Sequence, residues 1–149
     1  MNLQFRSPEN DDVETIISLM TAFYSYDNIP FYPDIHGKAL TDLFNNPNLG
    51  LCKIIELDEQ AVGYFIICFG YSMEYHGKDA FLDELFIDAE FRGMGIGKQC
   101  MPEIERLCRK NGVNAIHLEV DAGNDTADQL YRQSGFSGNN RSLLTKWLK

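Results

Sequence analysis

Apolar residues recur with helical spacing in four stretches of the chain. In residues 8–24, Val13, Ile16, Ile17 and Met20 lie three or four positions apart, which is typical of a helix with one apolar face. By the same reasoning we expect three more helices, over residues 34–46, 97–111 and 124–135.

Short apolar runs bounded by turn residues alternate with these helices. They predict strands over residues 3–6, 51–57, 61–70, 80–88, 114–120 and 142–148. The turn "DEQ" between the second and third runs predicts a hairpin, and Trp147 is expected to pack the last strand. The order β-α-α-β-β-β-α-β-α-β predicts one domain over residues 1–149, of mixed α/β (α+β) class, with helices on both faces of the sheet.

Composition restricts the class of protein. The chain has 149 residues, 44% apolar and 23% charged, which fits a single globular domain. No apolar run approaches the roughly 18 to 20 residues of a membrane helix, and the N-terminal segment lacks the features of a signal peptide. The four cysteines lie far apart with no C-x-x-C pair, which argues against a disulfide framework or a zinc site. We therefore expect a cytoplasmic protein with reduced thiols, no bound metal and no membrane partner.

Charge is divided unevenly along the chain. The net charge of −9 argues against a nucleic-acid partner, which usually requires a basic face. Residues 1–91 hold 16 acidic and 4 basic side chains, a net −12, whereas residues 92–149 hold 6 acidic and 9 basic ones, a net +3. Either the molecule binds a cationic ligand on one side and an anionic one on the other, or its solvated surfaces are merely segregated.

The sign of the charge changes at a glycine cluster, "RGMGIGK". The cluster does not match the phosphate loop G-x-x-x-x-G-K-[ST], because position 92 is Arg and position 99 is Gln. It also fails the dinucleotide pattern G-x-G-x-x-G, since Cys100 stands at the third glycine position. It nevertheless follows a predicted strand and opens a predicted helix, where unpaired N–H groups attract phosphate. The alternative is a tight turn that binds nothing.

The same cluster resembles a known family. Residues 92–97 match the R/Q-x-x-G-x-G/A signature of the GNAT superfamily of N-acetyltransferases. The segment "NDTADQLYRQSGF" is similar to the family's second motif, N-x-x-A-x-x-x-Y-x-x-x-G-F. The resemblance covers most of the chain and is strongest between residues 61 and 136. It implies a GNAT-like mixed, mostly antiparallel central sheet, flanked by helices and with splayed central strands.

The resemblance also implies acetyl-CoA as the donor and a primary amine as the acceptor. The glycine loop would hold the pyrophosphate through the backbone N–H groups of Arg92, Gly93, Met94, Gly95, Ile96, Gly97 and Lys98. The exposed backbone of Leu85, Phe86 and Ile87 would pair with the pantetheine arm, and the Leu85 N–H would polarise the thioester carbonyl. Asn124 would also hold the arm, although it is equally suited to capping a helix.

Attack on a thioester requires a neutral amine, so a base must remove a proton from an alkylammonium group. Asp83 and Glu84 precede the expected acetyl position, and strand alternation predicts that they point to opposite faces. The resemblance favours Asp83 as base or proton relay, with Glu84 in reserve. Either carboxylate has an alternative role, in attracting a cationic substrate or in a structural hydrogen bond. Tyr131 matches the family's tyrosine beside the sulfur and is expected to act as the general acid.

Two segments that the resemblance places around the acceptor are rich in tyrosine and carboxylate side chains. The candidate substrate-binding residues are Tyr24, Tyr26, Asp27, Tyr71 and Glu74. Aromatic rings beside carboxylates suit an organic cation, and the alternative is that the tyrosines belong to the core or to a dimer surface. None of the three histidines has the spacing of a triad or metal site, and His117 is assigned a structural role.

The main hypothesis is therefore an acetyl-CoA-dependent N-acetyltransferase that moves the acetyl group directly to a small cationic amine. One alternative is a protein or peptide N-acetyltransferase, for which the loop "YDNIPFYP" leaves little room. The other is a noncatalytic acetyl-CoA sensor, which would bind the cofactor without turnover. The resemblance also allows a homodimer.

Overall fold

The computed structural model describes residues 1–149, which fall into two compact units, Met1–Glu119 and Val120–Lys149. In the first unit the elements are β1 (Leu3–Arg6), α1 (Val13–Tyr26), α2 (Pro33–Asn45), β2 (Gly50–Leu57), β3 (Gln60–Ser72), β4 (Gly77–Ile87), α3 (Ile96–Lys110) and β5 (Ala115–His117). The second unit contains α4 (Asp125–Gln133). No helix has both the length and the apolar character needed to cross a membrane.

Polar contacts fix the entry to α1. The Glu9 N–H donates to the Asp12 carboxylate at 2.7 Å, and the Arg6 guanidinium at the end of β1 holds both oxygens of that carboxylate, at 2.8 and 3.0 Å. Arg6 lowers the pKa of Asp12 to about 2. The start of α1 is thereby tied to the end of β1.

The five strands form one sheet in the order β1-β2-β3-β4-β5, antiparallel except for the parallel pair β4–β5. This confirms the mixed, mostly antiparallel sheet. β5 pairs with β4 only from Asp79 to Phe81, and β4 continues to Ile87 with no strand on that edge. Beyond Phe81 this edge of β4 is therefore unpaired, and the splaying of the central strands that the family resemblance implies stays a prediction.

Each face of the sheet is covered by different helices. One core combines Ile16, Leu19, Met20 and Tyr24 of α1 and Leu40 of α2 with Cys52, Ile54, Tyr64, Ile66 and Phe86 of the sheet. We call the side that carries this core the α1 face. The alternate positions of β3, such as Phe65 and Ile67, are fully buried on the other side. There they share the interior with the buried stripe of α3 that contains Cys100 and Ile104.

The expected last strand is absent. Residues 142–148 have no regular secondary structure, and Trp147 is 86% exposed rather than packed. A strand requires a ladder partner, and the unit Val120–Lys149 contains no other strand that could supply one. The expected strand over 114–120 is also shorter, since β5 ends at His117.

All four cysteines are unpaired and at least partly buried. Burial raises the thiol pKa of Cys52 and Cys100 to about 12 and that of Cys68 and Cys108 to about 11. They act as small apolar residues on both sides of the sheet.

Candidate active site

A β-bulge interrupts the middle of β4. Ile66 pairs with Glu84, and the next residue of β3, Ile67, pairs with Leu82, so Asp83 is an extra residue with no partner. The pairing keeps Glu84 and Leu82 on opposite faces of the sheet. Asp83 must therefore share a face with one of its two neighbours, which regular alternation would forbid.

Electrostatic contacts assign Asp83 to the face of Glu84. The charge of Asp83 contributes to the raised pKa of Tyr24 and of Cys68, and both of these side chains belong to the α1 face. The prediction that Asp83 and Glu84 point to opposite faces is therefore wrong. The physical reason is the bulge, which places two consecutive carboxylates side by side.

Two tyrosines hold the Glu84 carboxylate. The hydroxyl of Tyr24 in α1 donates to Oε2 at 2.6 Å, and the hydroxyl of Tyr64 in β3 donates to Oε1 at 2.6 Å. Burial raises the pKa of Glu84, while these two donors oppose the rise by stabilising the charged form. Burial and the neighbouring carboxylate in turn raise the pKa of both tyrosines, so they remain protonated donors.

Asp83 has a different environment. It is an exposed residue, and it makes no side-chain hydrogen bond in the structure. The surrounding protein still removes enough water from its carboxyl group to raise its pKa. Of the two carboxylates, Asp83 is thus the one with both oxygens available to a ligand or a water molecule.

Aromatic side chains of α1, of α2 and of the segment between them pack together beside Glu84. Tyr24 makes edge contacts with Phe31 and His36, at ring-centroid distances of 5.2 and 5.0 Å. Phe31 stacks on His36 at 4.7 Å. Tyr24 was expected to contact substrate, but the structure buries it and commits its hydroxyl to Glu84.

The outer edge of β4 beside the carboxylates is open. The Asp88 N–H donates to the Val62 carbonyl across the β3–β4 ladder. Because the backbone groups of successive strand residues point to alternate sides, the N–H groups of Leu85 and Ile87 face the outer edge. The backbone of Phe86 faces β3, so only two of the three residues expected to pair with a ligand present their N–H groups there.

The glycine loop leaves an open space in front of the N-terminus of α3. Gly93 and Gly95 have φ angles of 76° and 79°, a region that other residues rarely adopt. A Cβ at either position would meet no atom within 4 Å, so the space in front of both is open.

The first turn of α3 is a strong site for an anion. Gly95 provides no side-chain cap, and the turn contains no acidic residue. The Gln99 N–H donates to the Gly95 carbonyl, which leaves the N–H groups of Ile96, Gly97 and Lys98 without an acceptor inside the helix. These donors, the helix dipole and the Lys98 charge all favour phosphate.

Arg92 connects the loop to β4. Its Nε donates to the Ile87 carbonyl at 2.9 Å, and its guanidinium lies 4.7 Å from the Tyr26 ring centroid and 5.6 Å from that of Phe86. Tyr26 and the C-terminal end of α1, where Asp27 is the capping residue, are thereby placed next to the glycine loop.

The remaining candidate acceptor residues lie elsewhere. Tyr71 pairs with Lys78, and strand register places it on the face opposite Glu84. Glu74 belongs to the exposed turn between β3 and β4. Lys78 and Phe86 pair with Tyr71 and Tyr64 of β3, which are seven residues apart, roughly 24 Å, so the five candidates do not form one pocket.

Two predicted site residues belong to the second unit. Asn124 caps α4, where its side-chain oxygen accepts the Ala127 N–H at 3.3 Å. The ring of Tyr131 contacts that of Phe136, at a centroid distance of 6.1 Å. Their roles at the cofactor stay predictions.

Sequence reasoning missed Tyr64. It lies inside the apolar run "YFIICF", which identifies it only as core. The available signal was its hydroxyl group, because a fully buried tyrosine in a strand requires a hydrogen-bond partner. The structure contains no group of three or more His, Cys, Asp or Glu side chains arranged to hold a metal ion.

Comparison with known proteins agrees with this geometry. Residues 14–136 match the model of the Acetyltransferase (GNAT) family. The chain is 25% identical over 142 residues to thialysine N-epsilon-acetyltransferase of Bos taurus, covering 89% of this chain and 83% of that protein.

Solved structures give the same result. An integron cassette protein from the mobile metagenome of Cole Harbour Salt Marsh superimposes with a TM-score of 0.87 and 29% identity, over 98% of this chain and 91% of that one. A predicted acetyltransferase of Clostridium acetobutylicum, solved with acetyl-CoA, has a TM-score of 0.82 and 14% identity, over 97% of this chain and 96% of that one. The open edge of β4, the glycine loop and the family match lead to one conclusion: the chain belongs to the GNAT acetyltransferase family.

Proposed function

We propose that this protein transfers the acetyl group of acetyl-CoA directly to the primary amine of a small cationic acceptor. The observation that carries the proposal is the bulge in β4. It places a free carboxylate, Asp83, two residues before an outward-facing N–H group, that of Leu85. Aminolysis of a thioester requires two groups: a proton acceptor for the amine and a hydrogen-bond donor that stabilises the developing oxyanion.

The glycine loop and β4 suit acetyl-CoA. The pyrophosphate would lie against the N–H groups of Gly93 to Lys98, in the space before α3 where a Cβ would meet nothing. The pantetheine arm would extend along the outer edge of β4, with the thioester carbonyl at the Leu85 N–H. The structure of the Clostridium acetobutylicum relative with acetyl-CoA supports this choice of donor.

Asp83 is the proposed base, acting directly or through a water molecule. Its raised pKa makes it a stronger base than an ordinary aspartate, and its oxygens are not engaged. Glu84 supplies negative charge beside it but already accepts two hydroxyl groups. The attacking amine would lose its proton to Asp83, and the departing thiolate would gain one from Tyr131, so no acyl-enzyme is required.

The acceptor is proposed to be cationic because of the charge around the site. The residues up to position 91 carry a net −12, and they include Asp83, Glu84 and the aromatic rings of α1 and α2. Carboxylates beside aromatic rings favour ammonium groups. The Bos taurus relative is named thialysine N-epsilon-acetyltransferase, and the small amine in that name is consistent with a small acceptor.

The test is CoA release from acetyl-CoA across a panel of polyamines, lysine analogues, aminoglycosides, amino acids and short peptides, near pH 7 and pH 8.5. Saturable turnover on a small di- or polycation, increasing with pH, is the expected result. Turnover on peptides alone would favour a protein acceptor. Acetyl-CoA binding without turnover on any amine would favour the sensor alternative. A cytoplasmic location and a homodimer remain part of this proposal.

A further inference from the structure

A second polar cluster lies on β4 and β5, away from the carboxylate pair. Nε2 of His117 is 3.1 Å from Oδ2 of Asp79, and both side chains are largely buried, with 22% and 14% of their surface exposed. The proposed reaction uses neither residue. A carboxylate and an imidazole held together in a sheet surface need an explanation beyond chance, because polar groups favour solvent.

Gly70 makes room for this carboxylate. It is the direct partner of Asp79 across the β3–β4 ladder, and Oδ1 of Asp79 lies 2.7 Å from the place where a Gly70 Cβ would be. Gly70 itself is exposed. The second oxygen of Asp79 therefore lies over the Gly70 backbone, in the space that a side chain at position 70 would fill.

Aromatic rings surround the cluster. The His117 ring contacts Tyr75 at a centroid distance of 4.5 Å and Phe81 at 5.4 Å, and Phe81 is 38% exposed. The nearest cation on β4, Lys78, lies over the Phe69 ring on the opposite face. A carboxylate whose imidazole partner packs against aromatic rings, and which pairs with no lysine or arginine, is a favourable site for an ammonium group.

The cluster shares a face with the proposed catalytic carboxylate. The pairs Ile66–Glu84, Cys68–Phe81 and Gly70–Asp79 alternate along the ladder and so lie on one face of the sheet. Asp79 pairs with Gly70, and the bulged Asp83 lies between the partners of Ile67 and Ile66, so the two aspartates are about 12 Å apart along the strand at 3.4 Å per residue of β3. Phe81 lies between them and provides an apolar surface.

We propose that Asp79, positioned by His117 and Gly70, binds the distal ammonium group of an acceptor whose other end is acetylated beside Asp83. This rests on the proposed function, and it adds that the acceptor is an elongated polyamine. An extended alkyl chain advances about 1.25 Å per bond, so end nitrogens nine bonds apart are separated by up to about 11 Å. With a charge-assisted contact of about 2.8 Å at each end, such a triamine is long enough to reach both carboxylates.

The test compares two acceptors in steady-state kinetics. Spermidine has end nitrogens nine bonds apart, and N-pentyl-1,3-propanediamine replaces its far ammonium group with a methyl group. We expect the unmodified protein to have a KM for spermidine about tenfold below that for the analogue, as for a hydrogen bond to a charged group. In Asp79→Asn this preference should disappear, with kcat changed less than twofold and KM for the analogue unchanged.

Two further variants distinguish a specific effect at the Asp79 subsite from a general effect of changing the protein's charge. Gly70→Ala keeps the Asp79 charge but puts a Cβ into the space of its carboxylate, so part of the preference should be lost. Asp42→Asn removes the same charge from an exposed pair with Lys38 on α2 and should leave the preference intact. Calorimetry of spermidine binding to the CoA complex should show about tenfold weaker binding in Asp79→Asn, independently of turnover.

The outcomes distinguish the two proposals. If Asp79→Asn prefers spermidine over the analogue as strongly as the unmodified protein does, the distal subsite is overturned. The same holds if the unmodified protein shows no such preference. Both results leave the acetyltransferase proposal intact. Absence of turnover on every amine overturns the acetyltransferase proposal, and calorimetry then still decides whether Asp79 binds the polyamine.

Discussion

Two adjacent carboxylates of the same strand have different environments. Glu84 is held by the hydroxyl groups of Tyr24 and Tyr64, each at 2.6 Å, whereas Asp83 makes no side-chain hydrogen bond. Hydroxyl donors stabilise the charged form of Glu84 and make it a weaker base than burial alone would. We therefore assign proton removal to Asp83 and local negative charge to Glu84.

A pair of isosteric variants tests this assignment. Asp83→Asn should lower kcat by about 10²- to 10⁴-fold, the range of a lost general base, with an unchanged Kd for acetyl-CoA. The low-pH fall in kcat/KM should also disappear, because the titrating base is gone. Glu84→Gln is the matched control and should lose less than tenfold. A collapse of kcat in Glu84→Gln with a mild effect in Asp83→Asn would reverse the two roles.

The residue scale is where sequence reasoning failed most clearly. Alternation correctly places Glu84 and Phe86 on one face, but it misplaces Asp83, because a bulge depends on how many residues the partner strand supplies. The contact between His117 and Asp79 joins residues 38 positions apart. Neither feature has a local signature, since both arise from the register of the assembled sheet.

At the scale of elements, the N-terminus of α3 combines a left-handed glycine conformation with an open space. Gly95 has φ 79° and precedes the free N–H groups of the first turn. At the other end of the helix, Gly112 has φ 73° and likewise no atom within 4 Å of a Cβ. The two glycines thus have the same backbone requirement but only one faces the proposed phosphate site.

Alanine at these two positions separates folding from binding. Each substitution should lower the free energy of unfolding by about 1–2 kcal/mol, because a Cβ is disfavoured at positive φ. Only Gly95→Ala should also weaken acetyl-CoA binding, by at least tenfold, since its Cβ would occupy the space of the pyrophosphate. Calorimetric Kd values and thermal unfolding measure the two effects. Equal acetyl-CoA affinity in both variants would contradict the phosphate assignment.

Most elements were predictable because their apolar period is unambiguous. The spacing of Ile16 and Met20 in α1 and the runs of β2 and β3 depend only on local sequence, and the structure confirms them. The segment 142–148 has the same kind of pattern and forms no strand. A strand is completed by its neighbour, so composition alone cannot determine whether it forms.

At the scale of the whole molecule, the partly buried carboxyl group of Glu84 links stability to pH. The pKa of Glu84 in the folded protein is raised mainly by burial, above its ordinary value of 4.5. Below that value the group is protonated in both the folded and unfolded states. As pH rises through the folded pKa, the folded protein must ionise a partly buried group, so the stability that protonation contributed is lost.

This linkage predicts a difference between two stability profiles. The free energy of unfolding of Glu84→Gln, minus that of the unmodified protein, should rise as pH increases from about 4.5 to 8. Subtraction removes other titrating groups, including Asp12, whose lowered pKa acts in the opposite direction. Urea unfolding at several pH values gives the difference. A difference that falls with pH would mean that the two tyrosine donors outweigh burial.

The burial of the cysteines has a practical consequence for the assay of CoA release. Thiols whose pKa lies at about 11 or 12 are almost entirely protonated at pH 8, and the reagents that detect sulfur react with thiolate. In the native protein these four side chains should therefore react slowly with a disulfide reagent such as Ellman's reagent. The colour that develops early in turnover is then expected to come mainly from free CoA, and the same reagent added under denaturing conditions will measure the four protein thiols.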